Sequence, residues 1–267
     1  MYLTRTTRIA LRIATAVILA LGFVPLIVVV VNSFNSDRAF GWPPAGFTLE
    51  WWYRAAHNAG LLAALRTSVV VALLSTAVAL ILGTLAAMSL QRHRFFGREA
   101  VSLLVILPIA LPGIVTGIAL NNAFRTILGV PLSLLTLVVA HATFCVVVVF
   151  NNVIARLRRL GGDLEEASMD LGADGFTTFW RVTLPLMRTA LLAGGLLAFA
   201  LSFDEIIVTR FTASQATTTL PIWIMDNLFR PNQAPIVNVV ATALVILSII
   251  PIAIAQRLSG DPSGGRV

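Results

Sequence analysis

The sequence predicts an all-α polytopic membrane protein, and three observations predict it. The 267 residues are 58% hydrophobic and only 12% charged, with a mean hydropathy of +0.90; soluble domains carry about a quarter charged residues. Six apolar runs lie at 13–32, 67–90, 101–121, 133–150, 189–209 and 236–256, each close to the ~20 residues a bilayer-crossing helix needs. All the cationic side chains that stay charged are arginines, and they crowd into alternate connecting segments.

The first run follows Arg5, Arg8 and Arg12, as the apolar core of a signal peptide would. It is too long for a cleaved segment and no small-x-small site follows it, so an uncleaved anchor is expected. The connection 33–66 carries Phe47-Thr48-Leu49-Glu50-Trp51-Trp52-Tyr53. Such clustered aromatics suit a segment lying in the membrane interface or a contact with an external partner. The second run carries no charged residue. In the third, Pro108, Pro112, Gly113 and Gly117 loosen the helix. Freed carbonyls there need partners or a water-filled cavity, so the segment either lines a pathway or packs closely through its glycines.

The fourth run contains His141, which either bonds across helices or relays protons, and Cys145, expected as a buried apolar side chain. The fifth is apolar until Asp204-Glu205. Ionisable groups at that depth are costly; the pair either reaches the outer interface and a neighbouring helix or faces a passing cation. Residues 210–235 include Leu220-Pro221-Ile222-Trp223-Ile224-Met225, a candidate re-entrant or interfacial turn. The sixth run precedes a Gly/Ser/Pro-rich tail, 259–267, expected to fray.

Six spans put both ends on one side. The N-terminus, the 91–100 and 151–188 connections and the C-terminus hold thirteen arginines against six on the opposite side. Positive charge is retained on the cytoplasmic side, so both ends and the 151–188 segment are expected there. The same residues exclude two classes. Without a single lysine, no Gly-x-x-x-x-Gly-Lys phosphate loop can exist, and any ATP must be bound by another chain. The arginines form no continuous basic stripe, so nucleic acid is not an expected partner. One cysteine gives no disulfide framework and no cysteine metal site, and no nucleophile–base constellation is present.

Within 151–188, Gly161-Gly162-Asp163 should break the helix that leaves the fourth span. Asp163 is expected to N-cap a short helix with Glu166 as its capping-box partner. Gly172 can take positive φ and end it. Asp174 can cap a second short helix through Phe176, Phe179 and Trp180, closed by Leu184-Pro185. Ala173, Phe176 and Phe179 would form an apolar knuckle between the two.

The spacing of Glu166-Ala167-Ser168, Gly172, Val182 and Leu184-Pro185 resembles the coupling loop of permease subunits in bacterial ABC importers, with Ser168 for a second alanine and Val182 for isoleucine. The resemblance implies that this loop docks into a separate ATPase subunit through Glu166, Ala167, Gly172, Ala173, Phe176, Phe179, Leu184 and Pro185. It implies a type I importer permease fold: a cytoplasmic N-terminus at 1–12, one transmembrane domain at 13–256 with its coupling loop at about 154–187, and a cytoplasmic tail at 257–267. Implied partners are a second permease, usually a different chain, two ATPase subunits, an external solute-binding protein and the lipid of the bacterial inner membrane. Implied too is a transport subunit that is not itself an enzyme and holds no cofactor or metal.

A second resemblance narrows the substrate. Leu107–Leu120 in the third run, Ser202–Thr209 and Thr219-Leu220-Pro221 look like the same regions of spermidine/putrescine-type second permeases. The resemblance implies polyamine import, with Asp204, Glu205 and Pro112 as pathway residues. Another small solute (an opine, a phosphonate, an iron chelate) is the alternative within the class, and an ATP-independent carrier the alternative outside it.

Overall fold

The structure, a computed structural model, describes residues 4–38, 42–93, 95–230 and 232–258. The 259–267 tail and the first three residues of the N-terminal segment lie outside them. Among the described residues the chain is nearly all helix; an isolated Asn35–Phe47 bridge is the only extended pairing. It divides into two compact units, residues 1–62 with 224–267, and residues 63–223.

In the first unit, α1 (Arg5–Asn32) and α2 (Glu50–Ala56) pack against α12 (Ala234–Leu258). Thr4 caps α1 by accepting from the Thr7 N–H. None of the apolar stretch of α1 is buried within the chain. An apolar helix so little covered by its own chain is what lipid solvates, since its backbone bonds are internal. The aromatic segment folds onto its own loop and is not uniformly exposed. Trp51 is buried and its indole N–H donates to the Asn35 carbonyl at 2.8 Å. Trp52 stacks on Phe34, whereas Tyr53 and Phe47 stay exposed.

The second unit is built around α6 (Leu134–Leu160), most of whose apolar stretch is buried. Ser133 and Thr136 close its start with a reciprocal capping box. Most of α3 (Ala59–Arg92) and α9 (Leu184–Phe203) lie along it at glycine-permitted distances. A Cβ on Gly83 would meet the Val146 carbonyl at 2.9 Å, and one on Gly194 the Val149 Cα at 3.3 Å. Phe150, Val149, Val153, Cys145 and Met187 fill the space between.

Two expected spans differ from their sequence reading. The third is not one helix: α4 (Arg98–Ala110) and α5 (Gly113–Asn122) meet at 106°. Pro112 has no N–H to donate and its ring pushes Leu111 out of the helical region; Leu111 accordingly sits at ψ 144°. The fifth stops at Phe203, so Asp204 and Glu205 lie in a turn before α10 (Ile207–Thr212), not on a helix face. Among the described residues, α1, α3, α6 and the continuous run Gly175–Phe203 are long and apolar enough to cross a membrane. The bent pair would add a fifth, and α12 has an apolar stretch over Ala234–Ser248.

The short α10 closes on both α5 and α6. Phe211 fills the space that a side chain at Gly117 would need, and Asn121 donates to the Phe211 carbonyl. Buried His141 bridges hydroxyls of two elements, Ser202 of α9 at 2.8 Å and Thr209 of α10 at 2.9 Å. Leu220 opens α11 (Leu220–Asn227), and its N–H donates to Ser68 at 2.8 Å; the expected re-entrant segment is this short helix.

Candidate functional site

The segment after α6 folds into two short helices joined by a sharp turn. Gly161 ends α6 at φ +67°. α7 (Asp163–Asp170) is then capped one residue earlier than expected: Gly162 is the N-cap, and its carbonyl takes the N–H groups of Glu165 and Glu166, both at 3.0 Å. The expected Asp163–Glu166 capping box does not form, because Asp163 is already inside the first turn and no side-chain cap bond is made. Asp163, Glu165 and Glu166 instead place three carboxylates at the positive end of α7. Gly172 carries φ +89° after Leu171, as its position requires. Asp174 caps α8 (Gly175–Thr178), accepting from the Thr177 N–H at 2.8 Å. Its bonds to Thr177 hold that carboxyl below the usual aspartate range.

Leu184-Pro185 does not close the second helix. α8 continues through one π-type turn, Phe179–Thr183, directly into α9. Pro185 occupies the start of α9, and just before it the backbone shifts register, with the Leu184 N–H reaching the Phe179 carbonyl. A proline lacks the donor that would make the i−4 bond; the widened turn absorbs that gap without ending the helix. The second helix of the knob is thereby continuous with the expected fifth span.

The knuckle is also composed differently. Phe176 is 72% exposed, Leu171 90%, and Leu164, Met169 and Trp180 about half. Phe176 and Trp180 meet edge-on at 6.2 Å, one helical turn apart. Ala173 is half-buried, and Phe179 turns inward against the core of the second unit. Glu166, Ala167 and Pro185 are exposed and Leu184 half-buried. The exposed apolar face thus belongs to Leu164, Met169, Leu171, Phe176 and Trp180. The signal that could have found Trp180 is its i+4 spacing from Phe176.

Two polar links hold the knob. The Ser168 hydroxyl, at a motif position where an alanine is expected, pairs with the Thr178 hydroxyl at 3.0 Å. Glu165 accepts from the buried Thr183 hydroxyl at 2.6 Å and forms an ion pair with Arg92, the last residue of α3. Sequence reasoning passed over Glu165, whose partner lies 73 residues away.

A second cluster sits at the far end of α9. Asp204 and Glu205 line a cavity of about 510 Å³ with Ile109, Val148, Leu197, Ala200 and Leu201. Glu205 is partly committed: its carboxylate accepts from the Val208 N–H at 2.8 Å and caps the start of α10. Asp204 is exposed at the end of α9. Pro112 is not among the residues lining the cavity; it ends the α4 segment that supplies Ile109.

A family model described as "Binding-protein-dependent transport system inner membrane component" matches residues 79–260. The spermidine/putrescine transport system permease protein PotC of Escherichia coli is 36% identical over 243 residues, covering 91% of this chain and 91% of that protein. The putrescine transport system permease protein PotI of the same organism is 34% identical over 240 residues, covering 86% and 84%. Among solved structures, a chain of a bacterial ABC transporter involved in the import of the acidic polysaccharide alginate superposes with a TM-score of 0.71 at 16% identity, covering 97% of this chain and 98% of that one.

Proposed function

The chain belongs to the family of binding-protein-dependent transport system inner membrane components, and from that premise we propose that it is one permease subunit of an ATP-driven polyamine importer. In this reading an external binding protein delivers substrate, a second permease, most simply a different chain, completes the pathway, and two separate ATPase subunits drive it. Both ends and the 163–185 knob face the cytoplasm, on the side where thirteen arginines gather. The knob docks through Phe176, Trp180, Leu171 and Leu164, with Glu166 at the rim and Gly172 setting the angle between its helices.

The observation that carries the substrate is the cavity at residues 204–205. Its walls are mostly aliphatic, with the consecutive carboxylates of Asp204 and Glu205 as its charged groups. A polyamine has that chemistry, methylene segments between ammonium groups. Carboxylates favour the ammoniums through charge-assisted hydrogen bonds, and the aliphatic walls cover the methylenes. Glu205 is held by its cap, so Asp204 is the carboxylate that meets the cation, and Pro112 sets the break that brings α4 to the cavity. The PotC and PotI relatives, named for spermidine and putrescine transport, support the same class.

The test is uptake of labelled spermidine and putrescine in cells lacking their own polyamine importers and expressing this chain with its partner subunits. Energy-dependent uptake is expected, falling about 10-fold or more in Asp204→Asn, as loss of one charge-assisted hydrogen bond implies. No polyamine uptake by an assembled complex would remove the substrate assignment.

A further inference from the structure

We propose that Glu165, Arg92 and Thr183 form a positioning cluster that carries motion of α7 into α3 and α9. The inference rests on the reading of the knob as the ATPase contact. Glu165 and Glu166 are consecutive in α7 and so point about 100° apart. Glu166 is exposed, whereas the Glu165 side chain is only 21% exposed and turns toward the rest of the second unit. There one Glu165 oxygen accepts from the Thr183 hydroxyl at 2.6 Å and from the Arg92 guanidinium. Arg92 also donates to the same hydroxyl, at 3.1 Å, which closes a triangle of three polar groups.

Each corner belongs to a different element. Arg92 ends α3, a helix of 34 residues. Thr183 is 1% exposed and ends the π-type turn that runs straight into α9. A push on α7 therefore reaches α3 through a charge-assisted bond and reaches α9 through a buried hydroxyl. From Thr183 the rigid path continues along the 20 residues of α9 to Asp204 at the cavity. A partly exposed ion pair adds little to stability. Its geometric consequence is larger: it is a directional link between the docking helix and two expected membrane helices.

The test uses the whole complex in proteoliposomes, with ATPase activity and substrate uptake measured in the same preparation. Glu165→Gln and Thr183→Val are compared with Thr183→Ser, which keeps the hydroxyl. Coupling energies of this kind correspond to a change of about 2- to 30-fold. Uptake per ATP hydrolysed is expected to fall by that factor in Glu165→Gln and Thr183→Val, with ATPase subunits still copurifying. Thr183→Ser should retain the wild-type ratio, and Arg92→Glu combined with Glu165→Arg should recover part of it. A proportional loss of uptake and assembled ATPase would mean a merely structural role and overturn the proposal. So would an unchanged ratio in both disabling variants while wild type assembles and transports. A wild-type preparation that binds no ATPase would sink the docking reading, and this inference with it.

Discussion

Gly172 sits at φ +89° between the two helices of the knob, with open space around its Cα. A larger side chain would meet no neighbour, so any penalty comes from the backbone alone. A β-branched residue held there costs about 1–3 kcal/mol. Gly172→Val is expected to insert normally and to lose ATP-driven uptake, measured against surface expression in the same cells. Asp174 gives a pH signature. Its hydrogen bonds lower its folded pKa, so the cap is fully present above the unfolded value and is lost as pH falls through the lower folded one. Exchange at the Thr177 amide, corrected for intrinsic rate, should rise below about pH 4 in wild type and stay unresponsive in Asp174→Asn. Both residues were legible in the sequence because turn and cap chemistry is local. Asp163 was misread by one position, since Gly162 can fill the cap as well. Glu165 was not legible, because nothing near it reveals a partner 73 residues away.

At the scale of elements, the apolar runs lie in helices; two departures come from proline, and a third is the end of the fifth run at Phe203, which leaves Asp204 and Glu205 in a turn. Pro185, expected as a stop, lies inside a continuous helix because the π-type turn before it absorbs the missing donor. Pro112, expected to loosen one span, divides it at 106°. Which of the two a proline does depends on whether the preceding turn can widen, and the sequence does not display that. The second half of the third span is held by the α10 contact, where Phe211 occupies the space beside Gly117, and the first half packs on α6. A Cβ at Gly117 would lie 2.7 Å from the Phe211 ring edge, and overpacking of this kind costs about 1–3 kcal/mol. Gly117→Val should lower the thermal stability of the purified protein, and Gly117→Val combined with Phe211→Ala should recover most of the loss.

For the whole molecule, composition and arginine placement gave the class and an orientation, while the knob's exposed face needed the structure. Period and spacing marked Phe176 and Phe179 alike, yet only the fold shows that Phe179 turns inward and Trp180 outward. The orientation has its own check. With buried Cys145 as the one native thiol, a cysteine at Trp180 should react with an impermeant maleimide only from the cytoplasm, and one at Phe47 only from outside. In the proposed function, the 163–185 knob is where this permease meets its ATPase. A photo-crosslinking phenylalanine at position 176 in the assembled complex, with position 47 as control, reports that contact. An adduct between this chain and the ATPase subunit is expected from 176 and none from 47. An ATPase that copurifies and yields no adduct from 176, or yields one equally from 47, would contradict it.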